Sequence, residues 1–289
     1  PNEIERPLKG PDGKVVMEDG ETVMETVPPS FGALPVIYGT AASSAIALAI
    51  AVPFSLATAL FLVRIAPRLR IAAPVSFLVE FLAAIPSIAY GLWGLFVLSP
   101  FLRDRVEPAI AATVGHIPGL RWLFYEAIPG GGERQIPLTG RDMFAGAVLL
   151  AIMIIPIITA VSRDVLRAVP RQQIEGALAL GATWWQSCRT MLRYSRAGLF
   201  GAVMLGLARA AGETMAITMV IGNNNRISAS PFSPAQTMSS LLANEFAEAS
   251  SAIHRSALLE VALILLVMSL LFNMVARALV VGKTKGAAA

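Results

Sequence analysis

Two charged residues of opposite sign lie inside an otherwise uncharged stretch of this sequence. Arg209 and Glu213 are four residues apart within 197–222, where the remaining residues are apolar, small or hydroxyl-bearing. Residues at this spacing share one helix face, so the two side chains are expected to pair. A charge within a membrane costs about 3 kcal/mol or more and usually faces a bundle interior or a water-filled route. The pair is therefore the first candidate for chemistry.

Two roles for this pair follow from its residue types. A guanidinium binds two oxygens of an anion in a planar fork, so Arg209 is suited to an anion in transit. Glu213 would then hold Arg209 in place and reduce its affinity for that anion. In the other reading the pair neutralises itself and only stabilises the bundle. The helix pattern alone leaves both roles open.

The remaining reactive side chains do not form a catalytic site. Glu80 and Glu260 are interpreted as structural, Glu80 either as a partner of an arginine or as a protonated acid. His116 and His254 are too far apart along the chain to indicate a metal site, and the single cysteine excludes an internal disulfide. There is no phosphate-binding loop with the pattern G-x-x-x-x-G-K-[ST]. We expect no enzyme, no cofactor and no metal.

A second candidate lies in the basic segment 163–196. Glu175, Gly176 and Ala177 are followed by Gly181, which is a natural helix end because glycine adopts left-handed conformations without strain. Thr183 is expected to cap a second helix that starts at Trp184. The sequence therefore predicts two short helices joined by a bend. The side chains predicted to face a partner are Leu178, Leu180, Trp184 and Trp185; an ordinary surface hairpin is the alternative.

Five stretches are long and apolar enough to cross a bilayer, which takes about 20 residues. They are 36–63, 71–102, 144–161, 197–222 and 256–280. The second is longer than one straight crossing needs and contains Pro74, Pro86 and Gly91, which favours a kink or a re-entrant turn. With 55% apolar residues in 289, the composition indicates an all-α membrane protein with one helical domain at 31–289.

The charges of the connecting loops predict the orientation. Basic residues dominate 64–70, 163–196 and 277–285, which are therefore expected in the cytoplasm. Segment 1–35 has seven acidic residues against three basic ones and is expected outside. We interpret 1–30 as a loosely structured outer segment, and we expect a further helix before Pro1. The basic residues alternate with apolar spans, so the net charge of +4 does not indicate nucleic-acid binding.

The motif Glu175-Gly176-Ala177 followed by Gly181 resembles the E-A-A-x-x-x-G loop of importer-type ABC permeases, with Gly176 in place of the usual first alanine. Further blocks resemble the C-type permease subunit of phosphate importers rather than its A-type partner. They lie at 82–91, 151–156, 206–216 and 242–249, in the same order along the chain. The resemblance covers about 34–277 and implies the MetI-like transmembrane helix bundle.

The resemblance also implies a function and a set of partners. Glu175, Gly176, Ala177 and Gly181 would dock an ATPase dimer, and Arg209 and Glu213 would lie on the phosphate path. A second permease subunit, an extracytoplasmic phosphate-binding protein and membrane lipid complete the expected assembly in the cytoplasmic membrane of a bacterium. A permease for another oxyanion such as sulfate or molybdate is the closest alternative. A non-transporting membrane anchor and a membrane enzyme are the others.

Overall fold

The computed structural model describes residues 32–67, 69–115, 117, 120–127 and 133–284, and the backbone of four short strands between 4 and 27. For 126–127, 133 and 275–284 the backbone alone is described. The described chain consists mainly of ten helices. They are α1 (Leu34–Arg64), α2 (Ala72–Ala84), α3 (Ser87–Val114), α4 (Met143–Arg167), α5 (Arg171–Ala179), α6 (Trp184–Tyr194), α7 (Arg196–Ala211), α8 (Met215–Val220), α9 (Met238–Glu245) and α10 (Ala252–Thr284).

Among the described residues, α1, α4 and α10 are long and apolar enough to cross a membrane, and the bent pair of α2 and α3 raises this number to four. Helix α4 is central, with 61% of its most apolar window buried, whereas α10 has 11% of its window buried and lies at the rim. These helices confirm the apolar stretches predicted at 36–63, 144–161 and 256–280.

The predicted interruption of the second stretch is found at Pro86. Helices α2 and α3 meet there at an angle of 90°. Proline lacks an amide hydrogen and its ring clashes with the preceding turn, so a continuous helix is disfavoured. The Tyr90 hydroxyl donates to the Leu82 carbonyl at 2.8 Å, across the break. Helix α3 then continues to Val114, well past the predicted end at Leu102, and contains two π-helical turns.

The predicted stretch 197–222 is not one helix. Helix α7 ends at Ala211, and α8 begins at Met215 after a short non-helical segment. Arg209 and Glu213 therefore do not share one helix face, as the four-residue spacing had suggested. Gly212 ends α7, and Glu213 lies in the connection itself.

The main core lies between α1, α4, α7 and α8, and small residues set its spacing. A Cβ atom on Gly206 would come within 2.6 Å of the Ile158 side chain, and one on Gly198 within 2.6 Å of Val165. Both contacts lie between α7 and α4, so these glycines allow the two helices to approach closely. The buried side chains of this core include Ala47, Ala51, Leu150, Ile154, Ile158, Ala202 and Ile217.

The segments outside the helices contain three short antiparallel strand pairs. Ile4–Pro7 pairs with Met24–Val27, and Met17–Glu18 pairs with Glu21–Thr22, where the sequence predicted a loose segment. Tyr125–Ala127 pairs with Glu133–Gln135. Outside the described residues lie the glycines at 130–132, His116, Arg68 and Lys285.

The orientation can be tested with single cysteines. Leu180→Cys is expected to react with a membrane-impermeant maleimide only after the membrane is opened, and Asn224→Cys in intact cells, because the loop charges predict that the basic segments are cytoplasmic. Both positions are exposed, whereas Ser187 on α6 is fully buried and unsuitable. Cys188 is buried and free, and its replacement by Ser removes the background. Labelling of both positions from the same side would contradict this topology.

Candidate functional site

Glu213 occupies the break between α7 and α8 and makes three separate contacts there. Its Oε2 atom lies 3.2 Å from Arg209 Nη2 in an ion pair. Its Oε1 atom accepts a hydrogen bond from the Ala216 amide at 3.3 Å, in the first turn of α8. Its backbone carbonyl accepts from the Ser239 hydroxyl at 2.6 Å. One residue therefore joins the end of α7, the start of α8 and the start of α9.

The two partners of the ion pair differ sharply in exposure. The Glu213 side chain is 3% exposed and the Arg209 side chain 46%. The Glu213 side chain is thus enclosed by the bundle, while nearly half of the Arg209 side chain is accessible. Arginine has five N–H donors, and the ion pair with Glu213 is made through Nη2.

The depth of Arg209 follows from helix geometry. It lies 13 residues after Arg196, the first residue of α7, which corresponds to roughly 20 Å along a helix axis. The apolar core of a bilayer is about 30 Å thick. A helix that entered the bilayer at Arg196 and ran along its normal would place Arg209 inside the apolar layer, where a broken helix is tolerated only if its backbone groups find partners. Glu213 and Ser239 supply those partners.

The start of α9 completes this node, and the sequence reasoning missed it. Thr237 and Ser240 form reciprocal hydrogen bonds that cap α9, and the Thr40 hydroxyl of α1 accepts from the Met238 amide at 2.9 Å. A Cβ atom on Gly39 would lie 2.1 Å from the Gln236 carbonyl oxygen, so α1 contacts this turn directly. A signal was present: 228–240 is rich in serine and has a Thr at the capping position three residues before Ser240.

The Pro86 break lies next to the same node. A Cβ atom on Gly91 would come within 3.0 Å of the Ala216 Cα atom and 2.8 Å of the Met219 sulfur. The segment that follows Pro86 therefore packs on α8, three residues after Glu213. Two broken helices, α2–α3 and α7–α8, meet at this point.

The basic segment 163–196 folds as the predicted pair of short helices. Helix α5 ends at Ala179, and Gly181 has a φ of +83°. The Gly181 amide donates to Leu178 and the Ala182 amide to Ala177, which is the Schellman arrangement of a helix end. Thr183 caps α6 by reciprocal hydrogen bonds with Gln186. Both predictions, a helix end at Gly181 and a cap at Thr183, are confirmed.

The inner side of this hairpin is anchored on the ends of α1 and α4. Ile174 and Trp184 pack on a buried cluster that includes Leu60, Leu166 and Met191. The Arg64 side chain donates to the Ser187 hydroxyl at 2.9 Å. The hairpin is therefore packed directly against the ends of both α1 and α4.

The outer side of the hairpin is apolar and exposed. Leu180 is 91% exposed, Trp185 65% and Leu178 46%. Trp184 differs from the prediction, because it is only partly exposed and packs inward. Glu175 and Gly176 are exposed on α5, and no described atom lies within 4 Å of a Cβ atom built on Gly176 or Gly181. This surface is open to a partner.

The other predicted residues are placed away from these two sites. Glu80 on α2 pairs with Arg163 of α4 at 3.0 Å and is 58% exposed, so it is a partner of an arginine but not a buried one. His254 lies 3.1 Å from Glu245, and Glu260 is exposed. Among the described residues no cluster of three potential metal ligands occurs.

Residues 51–282 match the model of the binding-protein-dependent transport system inner membrane component family. The chain belongs to this family. It is therefore a multi-pass transport protein of the cytoplasmic membrane, and the predicted fold class is confirmed. The inward-facing MetNI methionine ABC transporter has a similar chain, with a TM-score of 0.55 at 18% identity, over 86% of this chain and 94% of that one.

Several similar proteins of this family are named phosphate permeases. The phosphate transport system permease protein PstC of Mesorhizobium japonicum is 46% identical over 86% of this chain and 72% of its own length. The protein of the same name from Haemophilus influenzae is 43% identical over 92% and 82%, and PstC 1 of Mycobacterium tuberculosis is 40% identical over 93% and 77%. The predicted likeness to C-type phosphate permeases is confirmed.

The unequal burial of the ion pair gives a stability prediction. Arg209→Gln leaves the buried Glu213 carboxylate without its counter-charge, whereas Glu213→Gln leaves a half-exposed guanidinium. Removing the counter-charge of a buried ion destabilises a protein more than removing the partner of an accessible ion, because water can solvate the accessible one. We therefore expect Arg209→Gln to lower the thermal unfolding midpoint of the purified protein more than Glu213→Gln does. The reverse order would mean that the carboxylate is not the buried member of the pair.

Proposed function

We propose that this chain is one permease subunit of an ATP-driven phosphate importer and forms half of the phosphate path across the cytoplasmic membrane. The observation that carries the proposal is a guanidinium held open at the junction of two broken helices, in a chain whose relatives are named phosphate permeases. A half-exposed arginine inside the apolar layer matches an anionic substrate in charge and in hydrogen-bond geometry.

In this proposal Arg209 binds the anion and Glu213 positions Arg209. Arg209 offers two N–H groups to two phosphate oxygens and compensates for the lost hydration of the anion. Glu213 keeps the guanidinium in position and weakens its hold, because the carboxylate competes for the same charge. The anion is therefore bound briefly and released. Helix α7, the break and α8 together make a fifth crossing, which adds to the four that length and composition allow.

We also propose three kinds of partner for this subunit. A second, A-type permease subunit would close the other side of the path. An ATPase dimer would bind the hairpin of α5 and α6 through Glu175, Gly176, Ala177 and the turn at Gly181, and would hydrolyse the ATP. An extracytoplasmic phosphate-binding protein would deliver the anion from the other side.

Coupling would run through the cytoplasmic hairpin. Its inner side packs on the ends of α1 and α4, and α6 leads directly into α7, so a push on the hairpin moves the helix that carries Arg209. Closure of the ATPases would then shift these helices between inward-open and outward-open arrangements.

The transport role is tested by uptake of labelled phosphate into proteoliposomes containing the complete complex. Arg209→Gln is expected to reduce uptake at least tenfold per assembled complex. Arg209→Lys is expected to restore little, because an ammonium keeps the charge but loses the planar fork. The matched control is Arg105→Gln, which removes an exposed arginine from α3 and is expected to leave uptake unchanged.

The outcomes separate the alternatives. If Arg209→Gln transports at the wild-type rate, or if Arg209→Met combined with Glu213→Leu restores uptake, the pair is only structural. Uptake that sulfate or molybdate suppresses and phosphate does not would assign another oxyanion. No ATP-dependent uptake of any oxyanion by a well-assembled complex would favour the non-transporting anchor.

The docking role of the hairpin gives a separate prediction. Gly181→Val places a β-branched residue at a φ of +83°, which costs about 1–2 kcal/mol and disturbs the turn. We expect it to weaken co-purification of the ATPase while the subunit still inserts. Gly32→Ala is the control, because it adds a methyl group at an exposed glycine before α1, away from the hairpin, where the Cβ atom has no neighbour within 4 Å. Glu175→Lys should also weaken ATPase binding, because it reverses an exposed charge on the hairpin. Normal ATPase binding in both Gly181→Val and Glu175→Lys would contradict the docking role.

A further inference from the structure

Two carboxylic acids are buried together at the end of the bundle opposite the cytoplasmic hairpin. Glu107 lies near the end of α3, and Asp142 is the residue that caps the start of α4. Both side chains are 0% exposed. The two carboxyl groups are neighbours, and each changes the pKa of the other. Neither belongs to the Arg209 site or to the hairpin.

The hydrogen-bond partners of this pair are incomplete. Asp142 Oδ1 accepts from the Ala145 amide at 2.8 Å, which is an ordinary helix cap. Asp142 Oδ2 and both oxygens of Glu107 make no hydrogen bond of good geometry with the described residues, although the Gly140 amide lies close enough to lower the pKa of Glu107. A carboxylate donates nothing, so two ionised groups cannot satisfy each other. One proton placed between them converts one acid into a hydrogen-bond donor. This removes the repulsion between two negative charges and allows the two groups to form a hydrogen bond.

The surroundings supply little positive charge. Arg103 lies one turn before Glu107 on α3 and acts on it through space, but its guanidinium is bound to Asp104 at 2.7 Å and is half exposed. The loop that leads into α4 contributes the Gly140 amide near Glu107 and the exposed Arg141. The segment packed on the first turn of α4 bonds through the carbonyls of Pro231 and Ser233, and 227–244 contains no charged residue.

The loop and α3 are in close contact at this point. Gly140 has a φ of +66°, and a Cβ atom there would lie 2.2 Å from the Ser99 carbonyl oxygen. Ser99 and Glu107 are eight residues apart on α3, and Arg103 lies between them, so they follow one helix face. The acid pair therefore sits where α3, the loop and the start of α4 are held together.

We propose that Glu107 and Asp142 bind one proton between them and form a proton-dependent latch that fastens the end of α3 to the start of α4. With the proton present, the pair is a hydrogen-bonded carboxyl and carboxylate. When the proton is lost, two negative charges face each other without solvent, and the contact between the loop and α3 opens.

The acidity of Asp142 agrees with this assignment. Burial raises the pKa of Asp142 to about 8; the Ala145 amide lowers it, and the negative charge of Glu107 raises it. An unfolded aspartate titrates near 3.9. The folded protein therefore keeps a proton that the unfolded chain releases between these values. The latch stabilises the folded protein fully below about pH 4. As the pH rises to about 8 this stabilisation is lost, and the folding equilibrium constant falls by at most tenfold per pH unit.

The test measures the thermal unfolding midpoint of the full chain in lipid nanodiscs, with any subunits that co-purify, from pH 5 to pH 9. The wild-type midpoint is expected to fall across this range. Glu107→Gln is expected to flatten the dependence, because an amide donates to Asp142 without titrating. Asp104→Asn removes an exposed acid from the same helix and should keep the wild-type slope. An unchanged slope in Glu107→Gln would overturn the latch.

A second measurement does not depend on the stability of any variant. Infrared spectroscopy of the wild-type protein should show the carbonyl stretch of a buried protonated carboxyl at pH 6 that disappears towards pH 9. Asp142→Asn, which still accepts the bond from Ala145, should lack that band where the variant folds. Absence of the band in the wild-type protein at pH 6 would show that the pair holds no proton and would overturn the proposal.

Discussion

The arrangement around Arg209 depends on one constraint, the burial of the Glu213 carboxylate at a helix break. A buried charge needs an opposite charge and hydrogen-bond donors. The Glu213 carboxylate obtains them from Arg209 and from the Ala216 amide, while the backbone carbonyl of Glu213 accepts a separate hydrogen bond from Ser239. These requirements bring together the end of α7, the start of α8 and the start of α9. The position of the guanidinium is thus a consequence of how the carboxylate is satisfied.

The neighbouring elements are shaped to fit around that node. Gly91 has no side chain, so the segment after Pro86 can lie against the backbone of α8. Gly39 likewise allows α1 to approach the Gln236 carbonyl in the turn before α9. Interiors are close-packed, so a methyl group at either position would displace backbone rather than fill a gap. The two breaks and the two glycines therefore act as one packed unit.

The hairpin of α5 and α6 is a different kind of site, because it combines a packed base with an exposed surface. The base is fixed by Ile174, by Trp184 and by the bond from Arg64 to Ser187, while Leu180 and Trp185 remain exposed. Exposed large apolar side chains on a rigid turn are typical of an interaction surface. The direct continuation of α6 into α7 links this surface to the helix that carries Arg209.

The sequence by itself determined the fold class, most of the spanning segments, the helix end at Gly181, the cap at Thr183 and the break at Pro86. These features are local: they follow from apolar length, from glycine and proline chemistry, and from capping side chains within a few residues. The pairing of Arg209 with Glu213 was also readable from their charges. The likeness to phosphate permeases rested on blocks of sequence in order, and the family match and the relatives bear it out.

Only the tertiary structure decided that Glu213 lies beyond the end of α7, that Ser239 and the start of α9 meet it, and that Trp184 turns inward. It also placed Glu107 beside Asp142, 35 positions later in the chain, a pairing that no local pattern of the sequence indicated. The physical reason is the same in each case. Burial and partner choice depend on which distant segments pack together, and a local pattern holds no information about the residue that arrives from another helix.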